Sequence, residues 1–75
     1  MATSDPIDDV PVSGDGIRLG QFLQFAGLVD SGGEAKEAIR AGEVRVNGEV
    51  DLRRGRQLQP GDVVAIGGRQ ARVVG

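Results

Sequence analysis

The groups in this chain that could do chemistry are cationic. Lys36, Arg40 and Arg45 follow one another in the middle of the sequence, and Arg53-Arg54-Gly55-Arg56 then places three arginines in four residues. A planar guanidinium grips phosphate oxygens through two parallel N–H bonds. The chemistry on offer is the binding of a phosphate backbone rather than the making or breaking of bonds. Composition agrees with this. The 75 residues include no histidine and no cysteine. The usual neutral-pH acid/base group, which is also the commonest metal ligand, is therefore missing. Disulfides and thiolate metal sites are excluded as well. No pair of carboxylates is placed for acid/base work. No catalytic residue, metal or cofactor is implied, and the chain is not expected to be an enzyme.

The elements that must position these cations can be read outward from Ser31. Ser31 and Glu34 form a capping box, in which the serine oxygen accepts a first-turn N–H and the glutamate reaches back to the serine N–H. The helix runs to about Ala41, and Gly42 supplies the left-handed stop. At 100° per residue Ala35, Ala38 and Ile39 form one apolar stripe, and Lys36 and Arg40 form a basic stripe beside it. On a lone helix these two would pass as solvated charges, but the next segment adds to them. Val44-Arg45-Val46 alternates at strand period, valines inward and Arg45 outward. Asn47-Gly48 fits a two-residue type I′ turn, since both positions need positive φ. Val50 and Leu52 are expected to form the apolar face of the returning strand, and the arginine loop follows. Turn geometry alone would justify Asn47.

Upstream, Leu19, Phe22, Leu23 and Ala26 recur at i, i+3, i+4 and i+7, an amphipathic helix that Gly27 ends. Phe25 lies off this stripe; it is expected to cover the edge of the core, the commoner case, with a contact residue as the alternative. Downstream, Pro60-Gly61 suits a type II turn. Val63 to Ile66 and Ala71 to Val74 read as a strand pair turned by Gly67-Gly68. The fold class is α+β: two N-terminal helices followed by a small, mostly antiparallel sheet. One domain of this size has a small core.

Several of these segments together resemble a known family. Ile17-Arg18-Leu19-Gly20-Gln21-Phe22-Leu23, Ser31-x-x-Glu34-Ala35-Lys36, Ile39-Arg40-x-Gly42-x-Val44-Arg45-Val46-Asn47-Gly48 and Pro60-Gly61-Asp62 are similar to the S4 RNA-binding domain with its alpha-L motif. The stand-alone length and the Ser31-Gly32-x-x-Ala35-Lys36 variant resemble the small YbcJ-type proteins. The resemblance covers roughly residues 17 to 66. It implies that the two helices and the hairpin together form an RNA-binding surface. By matching position it offers Arg18, Lys36, Arg40, Arg45 and Asn47 as contacts; charge and position add Arg53, Arg54 and Arg56. Two departures stand out: Gly32 occupies a position that is basic in many members, and Gly20 one that is commonly acidic. The first removes one phosphate contact that the family pattern would supply.

Charge distribution bears on this reading. The whole chain carries a net −2, but residues 1–16 hold Asp5, Asp8, Asp9 and Asp15 with no basic group. All nine basic residues lie beyond them, against seven acidic ones. Residues 1–16 are expected to be a flexible acidic leader, with a short edge strand around Val10 to Val12 as the alternative. Residues 17–75 form the S4-like domain. The acidic leader is expected to weaken RNA binding.

With only Phe22 and Phe25 as aromatics, base stacking has little support, and structured RNA recognised through backbone and shape fits better. Ribosomal RNA, or an RNA associated with the ribosome, follows from the resemblance. No apolar run reaches membrane-spanning length and no secretory signal is evident, so a cytoplasmic monomer without membrane contact is expected. The alternative is a protein-interaction adaptor. A ubiquitin-like carrier fits poorly, because the Gly67-Gly68 pair is internal. Segregated arginines would favour RNA, and interleaved charges an adaptor.

Overall fold

A computed structural model describes residues 7–13 and 16–75. Asp5, Pro6, Gly14 and Asp15 of the acidic leader lie outside the described residues. In chain order the elements are β1 (Ile7–Pro11), β2 (Ile17–Arg18), α1 (Leu19–Phe25), α2 (Gly32–Arg40), β3 (Val44–Val46), β4 (Glu49–Val50), β5 (Gln57–Leu58), β6 (Val63–Ile66) and β7 (Arg69–Val74). The α+β class is as the sequence predicts, but β1 and β2 precede the two helices that were expected to come first. Five strands form one sheet in the order β1-β7-β6-β3-β4, antiparallel except for the β1/β7 pair. β2 and β5 make a separate antiparallel pair. Among the described residues no helix is long and apolar enough to cross a membrane.

The predicted stripes build the core. Leu19, Phe22 and Leu23 of α1 and Ala35, Ala38 and Ile39 of α2 are buried in one cluster with Val44, Val46, Leu58, Val64, Ala71 and Val73. The helices thus cover one face of the sheet. Ser31 Oγ accepts the Glu34 N–H at 3.1 Å, as a cap should. The Glu34 carboxylate, however, reaches one residue further back than expected, accepting from Asp30 N at 2.6 Å.

Three expectations need correction. First, residues 7–11 follow the alternative reading, an edge strand, which begins earlier than the expected Val10 to Val12. They form β1, in register with β7 from Ile7↔Gln70 to Pro11↔Val74. Its apolar residues are scattered because only Val10 is even half-buried, so no alternation marks it. Second, Val50 and Leu52 are exposed, while Asp51 between them is 6 % exposed. The two-residue turn pairs Val46 with Glu49 and Arg45 with Val50. Directly opposed residues share a face of the sheet, so Val50 must face outward with Arg45. Third, Phe25 does not cover the core: it is 61 % exposed.

The hairpin turn is as predicted, with Asn47 at φ 54° and Gly48 at φ 88°. Asn47 also ties this turn to the Pro60-Gly61 turn. Its amide nitrogen donates to Asp62 at 3.1 Å, and its oxygen accepts the Val63 N–H at 3.0 Å. Asp62 in turn accepts from Gln59 N at 2.9 Å. The Asn-Gly and Pro-Gly-Asp segments are thereby two halves of one structural joint.

Candidate nucleic-acid interface

The N-terminal end of α1 meets the arginine loop through backbone bonds. Leu19 N donates to Arg56 O at 2.8 Å and Gly20 N to Arg54 O at 3.0 Å. The β2/β5 pair reinforces the junction just outside these bonds. This contact places the loop beside the exposed side of both helices, and an open groove of about 580 Å³ lies between them.

The groove is lined by Arg18 at the start of α1, Lys36 and Arg40 of α2, and Arg54 of the loop. Gln21, Gln24, Ile39 and Leu52 complete its walls with three glycines, Gly20, Gly32 and Gly55. Among the described residues no carboxylate lines it. Two of the glycines are the departures noted in the sequence. A Cβ on Gly20 would stand 2.7 Å from Arg54 Cγ, so glycine lets the Arg54 stem lie across the helix. At Gly32 a Cβ would face Gln24 Oε1 at 3.7 Å, so the missing side chain leaves the groove wider there.

Ion pairing separates the basic residues. Arg53 and Arg56 are held by Asp51: its carboxylate accepts from Arg53 N at 2.9 Å, Arg53 Nε at 3.2 Å, Arg53 Nη2 at 3.0 Å and Arg56 Nη1 at 2.8 Å. The Arg53 guanidinium, supported by the Arg53 amide and by Arg56, holds the Asp51 carboxyl far below the usual carboxylate range, against the opposing effect of burial. The same pairing pushes the Arg53 pKa up. Arg72 pairs with Asp9 at 3.4 Å, and Arg69 donates to the Gly27 carbonyl at 3.0 Å, closing the end of α1. In the groove the picture differs. Arg18, Lys36 and Arg54 have no carboxylate within 4 Å among the described residues, and Arg40 meets only Glu37, at 3.9 Å on an exposed surface. Such a contact neutralises little.

Of the eight residues singled out from sequence, four therefore share the groove: Arg18, Lys36, Arg40 and Arg54. Arg45 does not line it. Its neighbours Val44 and Val46 face the helices, so Arg45 points to the opposite face of the sheet, in a row with Val50 and Ala65. Arg53 and Arg56 stand behind the groove as partners of Asp51. Asn47 has both polar atoms engaged in the joint between turns. Sequence reasoning missed Gln21 and Gln24. Their spacing from Leu19 and Phe22 on a seven-residue helix was the available signal, because it puts them off the buried stripe.

Comparison with known proteins converges on one family. A family model described as S4 domain matches residues 10–74. The chain is 56 % identical over 52 residues to the "Probable ribosome maturation protein RlbA" of Bacillus subtilis (strain 168), covering 69 % of this chain and 73 % of that protein. It is 34 % identical over 58 residues to YbcJ of Escherichia coli (strain K12), covering 77 % of this chain and 83 % of YbcJ. The solution structure of E. coli YbcJ, described as revealing an αL motif involved in RNA binding, superposes with a TM-score of 0.73 at 26 % identity. That superposition covers 100 % of this chain and 96 % of YbcJ. A tyrosine–tRNA ligase of Xanthomonas campestris is 37 % identical over 66 residues, but these are only 16 % of the ligase.

Proposed function

The chain belongs to the S4 domain family, and from that premise we propose that it binds structured RNA through the groove between its helices and the arginine loop. The observation that carries this reading is the segregation of charge. Most cations elsewhere on the molecule are paired or spent on backbone, whereas three of the four in the groove have no carboxylate partner among the described residues. A protein of net charge −2 gains nothing from keeping cations unpaired side by side unless an anion is to come between them. The groove holds phosphates and fixes orientation, and the shape of the RNA supplies selectivity. No chemistry follows binding. Similarity to a protein named as a probable ribosome maturation protein supports ribosomal RNA, or a ribosome-associated RNA, as the target class. The protein works in the cytoplasm as a monomer. The adaptor reading is disfavoured, because interleaved charges were its signature.

Titration of a structured RNA at increasing salt tests this reading. Displacing counterions from about four phosphates predicts a loss of roughly 50- to 150-fold in affinity between 50 and 200 mM salt. Replacing Lys36 and Arg40 by alanine leaves the fold intact, because both are exposed. It should weaken binding and flatten the salt dependence by about half. Affinity indifferent to salt and to this double change would refute the proposal.

A further inference from the structure

Phe25 is left over by the description so far. It is one of two aromatic residues in the chain; Phe22 is fully buried, and Phe25 is 61 % exposed at the end of α1. Phe25 and Ile17 form the apolar floor of a shallow depression whose other walls are Gln21 and Gln24. Those same two glutamines line the cationic groove. The aromatic ring and the phosphate-binding cations therefore stand on opposite sides of one ridge of α1. Gln21 and Phe25 are neighbours at i, i+4 along it.

We propose that Phe25 is a stacking platform for an unpaired nucleobase next to the backbone segment held in the groove. The protein then binds RNA where a paired stem meets a bulged or looped-out nucleotide, rather than along a uniform duplex. This rests on the RNA-binding reading above and adds a residue and a target feature to it. The occupant follows from what adjoins the ring. A chain passing over the Gln21–Gln24 ridge from Phe25 enters a groove with four cations and, among the described residues, no carboxylate, which suits a polyanion and not an apolar peptide. Bases within an A-form stem have both faces covered by their neighbours, so only an unpaired base can lie on the ring. The ridge can also read that base. The Gln24 side chain has no hydrogen bond to another described residue, and the Gln21 side chain uses only its oxygen, accepting from Arg18 N at 3.3 Å. Both amide nitrogens are available to a base edge.

The test compares two RNA duplexes of equal length and ends, one perfectly paired and one carrying a single-nucleotide bulge at its centre. The wild-type protein should prefer the bulged duplex by about tenfold, within the range of one base–aromatic stack. Phe25→Ala should abolish that preference and leave affinity for the perfect duplex within about twofold, with the melting temperature unchanged as the check on folding. Phe25→Trp should keep the preference, and because the chain has no other tryptophan, its emission should be quenched by the bulged duplex alone. A preference that survives Phe25→Ala, an equal loss on both duplexes, or unquenched tryptophan would overturn the assignment. If both duplexes bind in a salt-dependent way while Phe25 is silent, only the stacking role fails. If neither binds, the RNA-binding reading fails with it.

Discussion

Gly20 decides where Arg54 can lie. With no Cβ at this position, the Arg54 stem lies against the first turn of α1 and Arg54 joins Arg18 in lining the groove, while the Arg54 carbonyl accepts the Gly20 N–H. Gly20→Asp would do two things at once. It would push the stem aside by occupying the space 2.7 Å from Cγ, and it would place a carboxylate among the groove cations. The clash is with a flexible side chain, so the fold should survive. A helical glycine replaced by another residue even gains up to about 1 kcal/mol in backbone entropy. RNA affinity at low salt should fall by roughly tenfold, since one close unfavourable charge at a phosphate site costs on the order of 1–2 kcal/mol. Gly20→Ala, which displaces without charge, should fall between the two. Equal affinities for all three proteins would show that Arg54 contributes nothing. At this scale the sequence shows residue types faithfully and partners poorly. Arg53, Arg54 and Arg56 are indistinguishable in the chain. Only the turn of Asp51 into the interior separates two structural arginines from one that faces the groove.

The loop from Asp51 to Arg56 is an element organised by one carboxylate. Asp51 accepts four hydrogen bonds, and the β2/β5 pair fastens the far end of the loop to α1. Such a loop holds Arg54 in place before any RNA arrives, which lowers the ordering cost of binding. Asp51→Asn keeps the shape and removes the charge. It should cost about 1–3 kcal/mol of stability at neutral pH, because charged hydrogen bonds to two guanidiniums are weakened. The pH dependence has a definite sign. The folded carboxyl titrates far below its unfolded value of about 4, so its stabilisation is complete above that value. Below about pH 4 the unfolded chain takes up a proton that the folded one does not, and the advantage shrinks. Urea denaturation at pH 7, 5 and 3 should therefore give a constant gap between wild type and Asp51→Asn at the two higher values and a narrower one at pH 3. A gap independent of pH would mean that the carboxylate is not the organising charge. Most elements were legible: both helices through their stripes and stops, and the β3/β4 and β6/β7 turns through Asn47-Gly48 and Gly67-Gly68. The outward face of Val50 was misread from its apolar side chain, although a two-residue turn fixes Arg45 opposite Val50. The β2/β5 pair was not legible, because two-residue strands joined across some forty positions leave no local pattern.

Across the whole molecule, the carboxylates of β1 and the arginine loop belong to opposite edges of the sheet. The order β1-β7-β6-β3-β4 puts Asp8 and Asp9 on one edge and the strand leading into the arginine loop on the other. Four strand spacings of about 4.8 Å separate those edges. That exceeds the screening length of about 8 Å at physiological salt. A segment fixed in this way cannot swing across to the groove, so these two carboxylates should not act as the mobile competitor for RNA that the acidic leader suggested. Their structural role is different. β1 covers the edge of β7, Val10 and Val12 pack against the core, and Val12 N donates to Val74 O at 2.7 Å. The sequence signals this strand only weakly, as the alternative edge strand around Val10 to Val12, because its contribution is backbone pairing, with little apolar burial to leave a pattern. Two variants separate charge from strand. Asp8→Asn with Asp9→Asn removes the charge and, with it, one half-exposed pair to Arg72 worth at most about 1 kcal/mol. At ordinary salt this variant should bind RNA within about twofold of wild type, given the screening between the edges. Deleting residues 1–12 removes β1 itself. The cost should be about 2 kcal/mol, a fall of roughly 10 °C in melting temperature for a domain of this size. The uncovered row of β7 amides and carbonyls should also favour edge-to-edge association, visible as concentration-dependent sedimentation. If instead the double substitution strengthened RNA binding several-fold, while the truncation melted with the full chain, β1 would be an electrostatic brake and not part of the fold.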